Sequence, residues 1–247
     1  MPDLARGIRF YTAGLKLPLG RRFGDAFAEL ATPVPIHLLP APAGSATGGA
    51  TRDYRRHWTP VHVDLITDDL AAAIARAAAA GAVLERPVAR RSWNAIAALA
   101  DPFGHGVDLL EEPGNPRPGA VDVAIDVPDV ARAVAFYGEG LGLALRDEPM
   151  PGEWARLEAA AATIHLQHAP ERPYTRHWTP VHLDFVTTAL EPAVARATAA
   201  GAVVERPIQE ASWGRMVNCA DPFGHGFCLL EMGARGYDAL IDEKGSP

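Results

Sequence analysis

Two nearly identical stretches, RHWTPVHVDL at residues 56–65 and RHWTPVHLDF at residues 176–185, show that part of this chain is duplicated. A shift of 120 positions aligns residues 56–111 with residues 176–231 without a gap, and about 34 of the 56 aligned residues are identical. The match continues upstream more loosely, where PDLARGIRFYTAGLKL resembles PDVARAVAFYGEGLGL. The chain is therefore interpreted as a tandem duplication.

A segment rich in Pro and Gly, EPGNPRPGA, separates the two copies and has the composition of a linker. We predict two domains, residues 1–112 and 119–247, joined by a linker at 113–118. Met1 aligns with Val127, so the first copy lacks the strand that opens the second copy. We expect either a chain start that lies further upstream or an incomplete first domain.

Composition and charge restrict the classes of partner. The chain has 247 residues, is 48% hydrophobic and carries a formal charge of −7. Nucleic acid and anionic membrane are unfavourable partners, because binding to them depends on clustered Lys and Arg. No apolar run is long enough to cross a membrane and no secretory signal is evident, so we expect a cytoplasmic protein that binds small molecules. The two cysteines, Cys219 and Cys228, predict buried reduced thiols and no disulfide framework.

The hydrophobic periodicity within one copy predicts a strand, a helix and three further strands. In PVHVDLIT, residues 60–67, apolar side chains alternate with His62 and Asp64, as in a half-buried strand. The Ala-rich segment that follows begins with Asp and ends at Gly81, which are typical helix caps. Three strands are then predicted at about 82–88, 94–100 and 105–111. The first half of the second domain shows the same order, so the repeating unit is a βαβββ module.

The four modules resemble the vicinal oxygen chelate superfamily, the group of glyoxalase I, extradiol dioxygenases and bleomycin-binding proteins. The features that carry the resemblance are the FY pair in the first helix, the DPFGHG turn and the closing LLE, and they cover nearly the whole chain. The resemblance implies an α+β fold: a tandem duplication of glyoxalase-like domains, with four βαβββ modules that form cupped mixed β-sheets and helices outside.

The resemblance also implies positions for metal ligands, because superfamily members take one ligand each from the first and fourth strands of two facing modules. In the second domain these positions hold Asp122, His165, His182 and Glu231, and in the first domain they hold His37, His62 and Glu111. Glu231 and Glu111 are the candidate catalytic bases. Imidazoles mixed with carboxylates suit a divalent ion such as Zn, Ni, Fe, Mn or Co.

Four further side chains are candidate substrate contacts: Trp58, Asp64, Trp178 and Asp184. Each candidate also has a structural interpretation. The strand histidines could be satisfied within the scaffold, the tryptophans could plug the underside of a sheet, and Asp122 could be a solvated carboxylate at a strand end.

Three functions are compatible with this pattern. The first is a divalent-metal-dependent lyase or isomerase that chelates a small substrate through neighbouring oxygens. The second is an Fe(II) dioxygenase of the extradiol type, and the third is a metal-free binding protein of the bleomycin-resistance kind. Because the duplication supplies paired modules within one chain, we expect a monomer or a weak homodimer.

Overall fold

The computed structural model describes residues 1–47, 50–113, 117–160, 162–174 and 178–240. Its α-helices are α1 (Leu4–Arg9), α2 (Leu70–Ala79), α3 (Val130–Ala135) and α4 (Leu190–Ala199). The strands are β1 (Leu19–Phe23), β2 (Phe27–Leu30), β3 (Ile36–Leu38), β4 (Ala46–Thr47), β5 (Ala50–Thr51), β6 (Val61–Thr67), β7 (Val83–Leu84), β8 (Ala89–Arg90), β9 (Ala95–Ala100), β10 (Gly106–Glu111), β11 (Val121–Val127), β12 (Ala144–Met150), β13 (Trp154–Ala159), β14 (Ala162–His168), β15 (Leu183–Val186), β16 (Val203–Val204), β17 (Gln209–Ala211), β18 (Gly214–Ala220) and β19 (Gly226–Met232). No helix in these ranges is long and apolar enough to span a bilayer.

The chain forms two compact units. The first unit comprises Met1–Ser45, Asp53–Ala124 and Ala160–Ile164, and the second comprises Ala46–Arg52, Ile125–Ala159 and His165–Pro247. The predicted domain boundaries at 112 and 119 stay a prediction, and the predicted linker at 113–118 lies partly outside the described residues.

In the first unit, β6 and β10 run parallel at the centre of a mixed sheet. Asp64 is opposite Asp108 in this pairing, and β10 pairs on its other side with the antiparallel β9. A separate antiparallel sheet has the order β1-β2-β3. Helix α1 begins at Leu4, and no strand precedes it in residues 1–47.

The second unit repeats this plan. Its mixed sheet has the order β15-β19-β18-β16, with β15 parallel to β19 and Asp184 opposite Cys228. An antiparallel pair, β12 and β13, belongs to the module that precedes it. The repeated α+β modules predicted from the sequence are thus present.

Helices α2 and α4 each bury one face, and the spacing of the buried residues along the sequence accounts for it. Both bury residues at positions 1, 4 and 8 of the helix, which form one face: Leu70, Ala73 and Ala77 in α2, and Leu190, Ala193 and Ala197 in α4. The two N-termini differ, because Asp69 accepts a hydrogen bond from the amide of Ala72 whereas Ala189 has no side-chain acceptor.

The DPFGHG turn holds a buried carboxylate in each copy. Asp221 accepts hydrogen bonds from the amides of Phe223 (2.9 Å) and His225 (2.8 Å) and from the hydroxyl of Tyr137 (2.9 Å). Asp101 has the same arrangement with Tyr11. Burial, followed by the neighbouring Asp221 charge, raises the pKa of Tyr137 well above its ordinary value, so the phenol stays a donor. The FY pair and the DPFGHG turn are therefore one structural unit.

Candidate metal centres

The first unit brings together His62, Asp64 and Asp108, which we term the His62 cluster. The Nδ1 atom of His62 lies 3.1 Å from Asp64 Oδ1 and 3.5 Å from Asp108 Oδ2. The ligand atoms of the three residues all lie within 4.8 Å of one another. All three side chains are largely shielded, with exposures of 19%, 6% and 15%.

Strand geometry accounts for the cluster. His62 and Asp64 are two residues apart on β6, so their side chains emerge from the same face of the sheet. The parallel register then places Asp108 of β10 opposite Asp64. Val107 and Leu109 alternate with Asp108 and are buried on the opposite face.

The second unit contains the equivalent group of His182, Asp184 and Cys228, the His182 cluster. His182 Nε2 lies 3.3 Å from Asp184 Oδ1, and the three ligand atoms again lie within 4.8 Å of one another. Asn218 donates a hydrogen bond to Cys228 Sγ at 3.2 Å. Burial lowers the pKa of His182, but hydrogen bonds to Asp184 and Cys228 and their charges raise it by more, to about 10.

Glu111 and Glu231, the predicted ligands and bases, occupy different positions from these clusters. Glu111 Oε2 accepts a hydrogen bond from the amide of Leu70 at 3.0 Å, and Glu231 Oε2 accepts one from the amide of Leu190 at 2.8 Å. Both glutamates therefore cap the N-termini of helices. The physical reason is alternation along the strand, since Glu111 shares a face with the buried Val107 rather than with Asp108.

Replacing Glu231 with glutamine is expected to destabilise the fold more than replacing Glu111 does, because Asp69 also caps α2 whereas Ala189 cannot cap α4. The hydrogen bond from Leu190, and then the one from Arg215, hold the pKa of Glu231 below its unfolded value of 4.5. Its stabilising effect is therefore present above that pH and is lost as the pH falls. Urea unfolding at neutral and acid pH measures both effects. Equal losses in the two variants would contradict this assignment.

His165 and His37, two further predicted metal ligands, each have a polar side chain close to a ring nitrogen. His165 Nδ1 accepts a hydrogen bond from Trp154 Nε1 at 3.2 Å, and the two rings stack. His37 Nε2 lies 3.3 Å from Glu29 Oε2. A hydrogen bond from Arg21 holds the pKa of Glu29 low, so His37 faces a carboxylate.

Asp122, the predicted first-strand ligand, is buried and takes part in an ion pair. Arg117 reaches Asp122 Oδ2 at 2.7 Å, and the amide of Thr163 donates to Asp122 Oδ1 at 3.0 Å. The interpretation of Asp122 as a solvated strand-end carboxylate does not fit its 2% exposure. Its negative charge is balanced by Arg117.

The two predicted substrate tryptophans differ in exposure. Trp178 is buried, with 9% exposure, and lies just before the second His-containing segment. Trp58 is half-buried before β6. Trp58 therefore offers more surface to a ligand than Trp178 does.

Four cluster members were not among the metal ligands inferred from the sequence. Asp64 and Asp184 were predicted as substrate contacts, whereas Asp108 and Cys228 were given no role at a site. Asp108 and Cys228 each lie three residues before the Glu that the resemblance selected. Strand alternation contains part of the missing signal, because the apolar Val107 and Leu109 leave Asp108 on the polar face of its own strand. Cys228 was interpreted as a structural thiol, and it is indeed buried and not in a disulfide.

The geometry of the His62 cluster fits a divalent ion. Two ligand atoms that share an ion at metal–ligand distances of about 2.0–2.2 Å lie about 2.8–3.6 Å apart. The separations from His62 Nδ1 to the two carboxylates fall in this range. One imidazole and two carboxylates suit first-row divalent metals, whereas the thiol of the His182 cluster adds a softer donor.

Comparison with known proteins places this duplicated α+β chain, with its His-carboxylate clusters, in a defined family. The family model described as Glyoxalase-like domain matches residues 1–110 and 122–230. The chain therefore belongs to the glyoxalase-like domain family and is a tandem member of the vicinal oxygen chelate superfamily. A comparison with curated proteins found no match.

Solved structures show the same fold. Glyoxalase I from Zea mays is 17% identical with a TM-score of 0.65, and the alignment covers 98% of this chain and 92% of that chain. A protein described as a candidate dioxygenase from Bacillus subtilis is 13% identical with a TM-score of 0.60, covering 96% of this chain and 83% of the other. At these identities the likeness concerns the fold alone.

Proposed function

We propose that this protein is a divalent-metal-dependent lyase or isomerase, and that its small substrate presents two neighbouring oxygen atoms. The observation that carries the proposal is the His62 cluster, three shielded ligand atoms on one face of the central strands. His62, Asp64 and Asp108 would hold the ion. A bound ion would act as a Lewis acid that stabilises negative charge on a substrate oxygen.

Within this proposal the two carboxylates have different roles. Asp64 has 6% side-chain exposure and would be the carboxylate that stays on the ion, because substrate and solvent have little access to it. Asp108 is more open, with 15% exposure, and is the carboxylate that a substrate can reach. We assign to Asp108 the removal of a proton from a carbon next to a carbonyl, the role first given to Glu111.

Activity measurements with Asp108→Asn and Glu111→Gln test this assignment. Ion-loaded protein is assayed with panels of dicarbonyl-derived and catechol substrates. Ion-dependent turnover of a dicarbonyl-derived substrate that is lost in Asp108→Asn and kept in Glu111→Gln supports the proposal. Turnover of catechols with Fe(II) and oxygen would favour the dioxygenase instead, and ligand binding without ion or turnover would favour a binding protein.

The thiol of Cys228 gives the His182 cluster a spectroscopic signature. Cobalt bound by a thiolate shows intense sulfur-to-metal charge-transfer absorption in the near ultraviolet, whereas nitrogen and oxygen ligands do not. Adding Co(II) to the wild-type protein is expected to produce this band, and Cys228→Ser should remove it.

Cys219→Ser is the matched control, because burial, followed by the charge of Cys228, raises the pKa of Cys219 to about 12 and keeps it a thiol. The band should survive in this variant. A band that depends on Cys219, or no band with Co(II) bound at the His182 cluster, would contradict thiolate ligation by Cys228.

A further inference from the structure

The first unit contains a cavity of about 180 Å³ on the face of the sheet opposite the His62 cluster. Leu65 of β6 and Leu109 of β10 are among the residues that line it. These residues alternate with Asp64 and Asp108, so their side chains emerge on the other side of the sheet. The cavity is therefore separate from the candidate metal centre.

Lys16 lines this cavity in a strained conformation. Its φ is +62°, in the left-handed region that residues with a Cβ rarely adopt. The second copy has Gly142 at the equivalent position, between the same two leucines of LKL and LGL, with a φ of +79°. Glycine would adopt this turn without strain, so the lysine is held at an energetic cost. Its side chain is exposed at the edge of the cavity.

Arg76 of helix α2 supplies a second cation to the same cavity. Its Nε atom is buried and has no hydrogen-bond partner in the described part of the chain. Arg76 as a whole is half-buried, and buried donors are nearly always paired, so this nitrogen can donate to an acceptor that enters the cavity. Arg76 and Lys16 both favour an anionic group as that acceptor.

The other residues that line the cavity indicate which class of anion it would bind. Asp68 also borders the cavity, so its three charged residues sum to one positive charge, which suits a monoanion and disfavours a dianion. Leu15 and Leu17 add apolar walls. We infer that this cavity binds a small aliphatic monocarboxylate, with its carboxylate on Lys16 and Arg76 and its alkyl chain against the leucines.

Calorimetric titration with butyrate and with inorganic phosphate tests the inference in the metal-free protein, which makes it independent of the proposed function. We expect saturable butyrate binding that is tighter than phosphate binding. Lys16→Gly should weaken butyrate binding by about tenfold or more and, because it relieves strain, raise the melting temperature. A purely structural lysine would not produce this opposite pair of effects.

Arg76→Gln and Arg196→Gln form the matched pair, since Arg196 occupies the equivalent position of helix α4. Butyrate binding should be lost in Arg76→Gln and unchanged in Arg196→Gln. No butyrate binding by the wild-type protein, equal weakening in the two arginine variants, or binding unaffected by Lys16→Gly would each overturn the inference.

Discussion

Replacing His62 with alanine is expected to weaken divalent-metal binding at the first-unit cluster by about 100-fold or more. His62 is the only nitrogen donor of this cluster, and its removal leaves Asp64 and Asp108 as two adjacent carboxylates without an intervening imidazole. The measurement is competition of wild-type and variant protein against a chelating metal indicator with Mn(II), Co(II) and Zn(II).

His57→Ala serves as the control, because His57 lies in the loop before the strand and hydrogen-bonds the carbonyl of Arg55. Its affinity for metal should equal that of the wild type. Unchanged affinity in His62→Ala would remove His62 from the set of ligands.

Replacing Asp221 with alanine is expected to reduce the free energy of unfolding by about 3–5 kcal/mol. The change leaves the buried hydroxyl of Tyr137 and the amides of Phe223 and His225 without their acceptor. Each orphaned buried donor carries a desolvation cost that folding no longer repays. Urea unfolding followed by circular dichroism gives the difference between variant and wild type.

Asp25→Ala is the matched control, since the Asp25 carboxylate is 97% exposed and pairs only with the exposed Arg22 among the described residues. Its effect should stay within about 0.5 kcal/mol. A loss in Asp221→Ala no larger than that of the control would show that the buried turn does not hold the second unit together.

Most of the fold follows from local signals in the sequence. The duplication shows that the chain repeats a module, and the alternation around His62 and His182 predicts their strands. Asp69 and Gly81 mark the ends of α2, which the structure places at Leu70–Ala79. Because these signals depend on neighbouring residues, they are visible without knowledge of packing.

Less of the candidate site could be predicted from the sequence, because the register between neighbouring strands determines which side chains lie next to one another. His62 and Asp64 are two residues apart and could be paired from the sequence, whereas Asp108 joins them only through the parallel pairing of β6 with β10. Likewise, the ion pair of Asp122 with Arg117 depends on where the end of the predicted linker, which contains Arg117, lies. Such partners are set by tertiary structure.

Metal content after reconstitution, measured by mass spectrometry on Asp108→Ala and Glu111→Ala protein made without a histidine tag, tests the central claim most directly. The His62 cluster predicts that Asp108→Ala loses one ion per chain relative to wild type, whereas Glu111→Ala retains it, because Glu111 caps helix α2. Loss of the ion in Glu111→Ala with retention in Asp108→Ala, or no ion in the wild-type protein, would contradict it.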